Sequence, residues 1–474
     1  MYDLDIRDHW VHFTEQPYKS VSFTNLLVQQ ATETVNRGFT TLAEIVERAR
    51  ETSYKGMLLG IADATNEPER SGDGLELEGG FQDAADTLST ENRLFSSDFV
   101  LAVLANLANA LGMQMLVATL PVYVLSLGGN QTSAGLVIGM LPFTALLFRP
   151  LMGWLTDAWR RRPLVLIGTS CYGFANIVYL AASSIPHLII GRFVHGIGLS
   201  CYTTASNAYV ADIAPLRRRA EAVGLFTAAQ AIGLIAGPVI GFAFVAETGF
   251  RYLFYVSGGL AFTALLISLF VRERRQPADI KPRRWSLRTG IVAVEALPMA
   301  WMALCMGMGF GAVSTFISIF ARSRGFQNPG FYFMVQAIAL LVSRIFLGRL
   351  ADRYSRPFSI IPGIILMSMA LVLLPLAHSF FYFVISASLF GIGFGAAQPA
   401  TMALLIDRVQ PEKRGLAAGT YYTGFDAGVS AGSILLGAVS QHLGFAVMWP
   451  IAAVCTLLGL AGFLADRRHA IPDS

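Results

Sequence analysis

The sequence predicts an all-α membrane protein: twelve transmembrane helices in two pseudo-symmetric six-helix halves, preceded by an acidic N-terminal cytoplasmic extension. Three observations carry this. Hydrophobic residues make up 54% of the chain and charged residues 14%, with a mean hydropathy of +0.54, far from a soluble globular composition. Apolar windows of roughly 20 residues, the length that crosses a bilayer, recur from Phe99 to Leu464. Segments of the first half also return 195 residues later. Helices are expected rather than barrel strands, because backbone groups in hydrocarbon must be satisfied within the segment and the windows are long and uniformly apolar.

Taken in order, the first span, 99–126, carries Asn106, Asn109 and Gln114 as candidate cavity residues. The second, 133–156, runs into "GWLTDAWRRRP", Gly153–Pro163, and the third covers 164–183. In the fourth, 188–210, Arg192, His195, Tyr202, Thr203 and Ser206 share a face, and Asn207 is a further cavity candidate. A charge in hydrocarbon costs several kcal/mol unless it meets a polar cavity or a partner, so Arg192 is read as functional, with a structural ion pair as the alternative. His195 can titrate near neutrality or serve as a hydrogen-bonded cavity residue. The fifth span, 220–245, contains "GLIAGPVIG", in which Gly233, Gly237 and Gly241 form a groove for close helix packing and Pro238 can kink the helix. The sixth is 250–271.

The seventh span, 291–320, has Met299, Met302, Met306 and Met308 around Cys305, which read as apolar filler rather than a soft-metal site. The eighth, 330–351, ends in "RIFLGRLAD", the ninth covers 358–377 and the tenth, 380–405, carries Gln398. In the eleventh, 415–440, "YYTGFDAGVSAGS" puts Gly424, Gly428 and Gly432 on one stripe and Tyr422, Thr423, Asp426, Ser430 and Ser433 on the opposite side. With the glycines packed on a neighbour, Asp426 points at a central cavity. There it can take up and release a proton or pair with a cationic solute; a carboxylate bonded permanently between helices is the alternative. The twelfth span is 444–465.

Basic residues orient the chain. Arg160–Arg162, Arg217–Arg219, the stretch "RERRQPADIKPRRWSLR", Arg353, Arg356, Arg408, Lys413, Arg414, Arg467 and Arg468 place about 20 positive charges on one side, against Arg251, Arg322 and Arg324 opposite, so both termini and the central loop are expected to be cytoplasmic. Cys171, Cys201, Cys305 and Cys455 lie inside apolar spans without metal or disulfide spacing. No catalytic triad, carboxylate pair or phosphate-binding loop is present, so neither an enzyme nor an ATP-driven pump is expected, and no cofactor or metal. Residues 1–98 hold 18 acidic and 8 basic residues, and "MYDLDIRDHW" lacks the apolar core of a signal peptide. Ser22–Arg50 has helical apolar spacing and "NEPERSGDGLELEGG" reads as linker.

The repeat points to function. "RPLMGWLTD", Arg149–Asp157, matches "RIFLGRLAD", Arg344–Asp352, in Arg, Gly, Leu and Asp; the same offset pairs Asp212 with Asp407, Gly233 with Gly428 and Gly237 with Gly432. The expected divisions are an extension over 1–96, halves over 97–272 and 291–467, a basic linker over 273–290 and a tail over 468–474. Two parallel halves around a midplane site are the plan of a secondary transporter.

These residues resemble the major facilitator superfamily. Gly153, Asp157, Arg161 and Arg162 match its loop between the second and third helices, with Ala158 and Arg160 departing from it. Gly348, Asp352, Arg353 and Arg356 match in the second half, with Ser355 in the glycine place and Pro357 ending the basic pair. The resemblance implies that these loops latch the cytoplasmic face. It gives Arg192 a part in proton coupling, and "GLIAGPVIG" resembles the motif of the exporter branches, with Phe242 at its last position. The expected function is a proton-coupled exporter of small organic solutes in the plasma (inner) membrane. Alternatives are a proton-coupled importer and a transporter-like sensor. Expected partners are the solute, protons and the lipid bilayer, with no nucleic acid and the monomer as the working unit.

Overall fold

The computed structural model describes residues 94–215, 218–273, 293–353, 356–410 and 413–466. The N-terminal extension with its expected helix over Ser22–Arg50, the basic linker and the tail lie outside the described residues. So do the side chains of Asp157, Asp352 and Arg353 and the surroundings of Gly348. The described chain forms thirteen α-helices and no strand: α1 (Ser97–Ser126), α2 (Gln131–Ala158), α3 (Arg161–Leu180), α4 (Ile185–Ile213), α5 (Arg219–Glu247), α6 (Phe250–Phe270), α7 (Leu297–Ser323), α8 (Gly330–Arg353), α9 (Arg356–Leu373), α10 (Phe380–Arg408), α11 (Arg414–Leu443), α12 (Phe445–Leu457) and α13 (Gly459–Asp466).

Local chemistry sets several boundaries. Ser96 caps α1 by accepting from Phe99 N at 3.3 Å, and Asn130 caps α2 by accepting from Ser133 N at 2.9 Å. The turns between α1 and α2, α5 and α6, α7 and α8, and α11 and α12 hold Gly128, Gly249, Gly325 and Gly444 at φ of 81°, 82°, 83° and 77°, a region that a Cβ disfavours. Among the described residues, nine helices are long and apolar enough to cross a membrane, and the apolar part of α8, Gly330–Phe346, is shorter. Helices α4 and α11 have the length but carry the ionisable and small polar residues noted above. The expected twelfth span is one apolar stretch, Phe445–Leu464, whose helix is interrupted at Leu458. There the Trp301 indole donates to the Leu458 carbonyl at 3.0 Å, and Gly459 and Gly462 bring α13 against α7.

Packing follows the glycine lines. On α5, a Cβ at Gly233 would lie 2.7 Å from Ala110 Cβ, and one at Gly237 2.7 Å from Gln114 Cβ, so α5 lies directly on α1. On α11, Gly424, Gly428 and Gly432 abut the backbone of Ala300, Leu304 and Met308 on α7. Helix α1 also packs on α6, α2 on α4, and α3 on α4 and α6; six elements on, α7 packs on α12 and α13, α8 on α10, and α9 on α10 and α12. Contacts between α1–α6 and α7–α13 run mainly along two seams, α2–α11 and α5–α8.

Both seams are closed at one end. Gly135 and Gly139 on α2 sit against Ser433, Ser430 and Ile434 on α11, Gln131 N donates to Gln441 Oε1 at 3.0 Å, and Gly330 abuts Pro238 and Val239. Ser318 on α7 donates to the Ala118 carbonyl of α1 at 2.7 Å. At the other ends of the same helices, a Cβ at Gly153, Gly224, Gly415 or Gly419 would meet nothing among the described residues within 4 Å.

Candidate transport site

With its glycine stripe turned to α7, α11 turns Asp426 toward α2, where the Arg149 Nε donates to Asp426 Oδ2 in an ion pair across the seam. Asp426 is 7% exposed. The Arg149 guanidinium lies 5.9 Å from the centroid of the Tyr422 ring, and Tyr422 neighbours Tyr421 with ring centroids 5.6 Å apart. The Tyr421 hydroxyl donates to the Gln398 carbonyl at 3.2 Å, and the Gln398 Oε1 accepts from Arg344 Nη2 at 3.0 Å. A chain of polar groups thus runs from Asp426 and Arg149 through Tyr422, Tyr421 and Gln398 to Arg344, joining α2, α11, α10 and α8. Beside it, Phe310, Phe394 and Phe425 stack with centroids 5.1 to 5.9 Å apart.

Of the residues singled out from sequence, Asp426, Tyr422 and Gln398 come together here. Arg149 and Arg344 escaped that reading, although the signal was present: each is the first residue of the repeated segment. Protonating Asp426 would remove the charge that faces Arg149 across the seam.

Arg192 and His195 belong elsewhere. Read from sequence as a functional intramembrane arginine or a structural ion pair, Arg192 is 1% exposed, donates to the Leu116 carbonyl at 3.4 Å and lies 5.8 Å from the Tyr179 ring centroid. His195 Nδ1 is 3.3 Å from the Tyr179 hydroxyl, and its ring centroid is 4.6 Å from that of Tyr172. Tyr202 donates to Asn106 Oδ1 at 3.4 Å, and Asn106 Nδ2 donates to the Phe226 carbonyl at 2.8 Å. These four sit among α1, α3, α4 and α5 rather than on the seam. Asn109, Tyr172, Asn176, His195 and Ser257 line a cavity of about 10 Å³, room for one water. Helical spacing placed Arg192, His195 and Tyr202 correctly on one face but could not say which helices that face meets. Of the other candidates, Gln114 Cβ lies under Gly237, and Asn207 is exposed and donates within α4 to the Thr203 carbonyl at 2.7 Å.

In the loop motifs, Arg161 Nε donates to Asp212 Oδ2 at 3.1 Å and its Nη1 to the Thr156 carbonyl, tying the start of α3 to the end of α4. Arg356 Nε donates to Asp407 Oδ2 at 3.2 Å, the same contact one repeat later. Gly153, expected to let a neighbouring helix approach closely, has nothing among the described residues within 4 Å of where a Cβ would lie.

Spanning helices packed along two seams, one seam crossed by an ion pair inside the bundle, define a multi-pass membrane transporter rather than an enzyme. The chain belongs to the major facilitator superfamily, whose model matches residues 102–343 and 328–474. It is 23% identical over 368 residues to an uncharacterized MFS-type transporter of Methanocaldococcus jannaschii, covering 76% of this chain and 95% of that one. It is 22% identical over 367 residues to the quinolone resistance protein NorA of Staphylococcus aureus, covering 76% and 94%. The crystal structure of the human organic anion transporter MFSD10 shares the fold, with a TM-score of 0.61 at 17% identity over 77% of this chain and 98% of that one.

Proposed function

We propose that this chain is a proton-coupled exporter of small organic solutes, built as two six-helix halves, 97–272 and 291–467, that rock against each other. The observation that carries the reading is the Arg149–Asp426 pair across the α2–α11 seam. A carboxylate that must alternate between paired and protonated states there links proton binding to seam opening. Export is favoured by the glycine groove of Gly233, Gly237, Pro238 and Gly241 on α5 and by the likeness to NorA. The slack seam ends lie beside the arginine-rich loops, the cytoplasmic side by the positive-inside rule, so this conformation opens inward in a plasma membrane with both termini inside. The repeated latch, Asp157 and Asp352 with Arg161, Arg353 and Arg356, would close that face in the opposite conformation. The monomer is the working unit.

The test separates driving from carrying. In liposomes holding the full chain, Asp426→Asn should abolish transport driven by a proton gradient while downhill exchange continues. Full gradient-driven accumulation by that variant would remove Asp426 from the coupling step.

A further inference from the structure

We infer that Arg344 is the anion-holding group of the transport site, and that the solute is an organic anion with an apolar body. This rests on the reading of the α2, α8, α10 and α11 constellation as the place where solute is carried.

The repeat makes the case. Arg149 and Arg344 occupy matching places, and α2–α11 and α5–α8 are matching seams. Arg149 finds a carboxylate in Asp426. The residue 195 positions before Asp426 is Ala231 on α5, so the repeat supplies Arg344 with no carboxylate at the matching position. No ion pair to Arg344 forms among the described residues; its partner is the neutral Gln398 Oε1 at 3.0 Å. One oxygen occupies one of the five N–H groups of a guanidinium and cancels none of its charge. Arg344 is exposed, so its guanidinium is open to a solute arriving from solvent, and its planar fork, with no protein anion on it among the described residues, suits a carboxylate, sulfonate or phosphate oxygen pair.

The surroundings specify the rest of the solute. Gln398 and Tyr421 supply one polar wall. Phe394 lies one turn from Gln398 on α10, and Phe425 one turn from Tyr421 on α11, so the stacked phenylalanines begin directly beside the charge. An anionic head at Arg344 with an aromatic or aliphatic body along Phe310, Phe394 and Phe425 satisfies both. Asp426 and Arg149 neutralise each other and stay available for the coupling step.

The experiment uses the full chain in nanodiscs and a panel of aromatic carboxylates and sulfonates, each beside its neutral amide or sulfonamide, with binding read by calorimetry. The wild type should bind at least one anion about tenfold or more tightly than its neutral twin, the scale of a charge-assisted contact. Arg344→Gln should erase that preference and Arg344→Lys should keep part of it. Ala231→Asp, which offers Arg344 an internal carboxylate, should weaken anion binding without touching the solute-facing groups. If no anion outbinds its twin, or if the preference survives Arg344→Gln, the inference fails. Asp426→Asn measured alongside for proton-driven transport reports on coupling separately: it can lose coupling while anion preference persists, or the reverse.

Discussion

Arg149 and Asp426 are held by one another more than by their surroundings. Asp426 is almost closed off, and the side chain of Arg149 is 25% exposed, so each depends on the other for its charge to be tolerated inside the bundle. Removing one member of such a pair leaves an uncompensated charge, whereas removing both removes the problem. Arg149→Leu should therefore destabilise the protein more than Arg149→Leu combined with Asp426→Leu does. Thermal unfolding of the two purified variants checks this: if the double variant is the less stable, the single loss was not electrostatic. Arg192 shows the other way of keeping an arginine in a membrane protein, by burial against a tyrosine ring and a carbonyl with no ion pair among the described residues. The two look alike in sequence, since each is a lone arginine in an apolar run. What distinguishes them is a partner 277 residues away, which no local spacing encodes.

At the level of helices, glycine spacing was the most legible feature. Glycines four apart on α5 and α11, one repeat apart, foretold two grooves, and the structure fills them with α1 and α7. Side-chain direction followed on α11, where fixing the glycine face fixed the position of Asp426. It did not follow on α4, where Gly191 and Gly198 bear on α3 and Gly196 on α2, and the polar face turned inward to α1 and α3. The interruption at Leu458, where the Trp301 indole reaches across from α7, was also hidden. Glycines that bear on a neighbour and glycines that do not should respond oppositely to a methyl group. Gly428→Ala drives a Cβ into the backbone of Leu304 and should cost about 1–3 kcal/mol, the range of overpacked sites. Gly153→Ala meets nothing within 4 Å and should leave stability near wild type while slowing transport, if that surface must seat a neighbour when the seam closes. Melting temperatures and initial rates measured on both variants decide it, and equal losses of stability would contradict the contrast.

Across the whole bundle, the seams are shut at the end of Gln131 and Gln441 and slack at the end of Gly153 and Gly419, and carrying a solute across requires that this be reversed. A disulfide between Gln131→Cys and Gln441→Cys, placed where the native backbone and side chain already meet at 3.0 Å, should stop transport under oxidation and restore it on reduction. Continued transport with the bond formed, verified by mass spectrometry, would mean that this end need not open. The repeat itself was legible from sequence, and so was the family, because matched segments at a fixed offset survive as text. The difference between the repeats was not, since a carboxylate at 426 and an alanine at 231 acquire meaning only when the two arginines are seen to occupy matching places. That difference bears on the electric field of the membrane. Each elementary charge crossing the bilayer exchanges about 2.3 kcal/mol per 100 mV. A site that is neutral when Asp426 is ionised and an anion fills Arg344 is positive when it returns empty with Asp426 protonated, so it feels an inside-negative voltage only on its way home. Voltage would then set the pace of the proton-carrying return stroke and leave the loaded outward stroke insensitive to it.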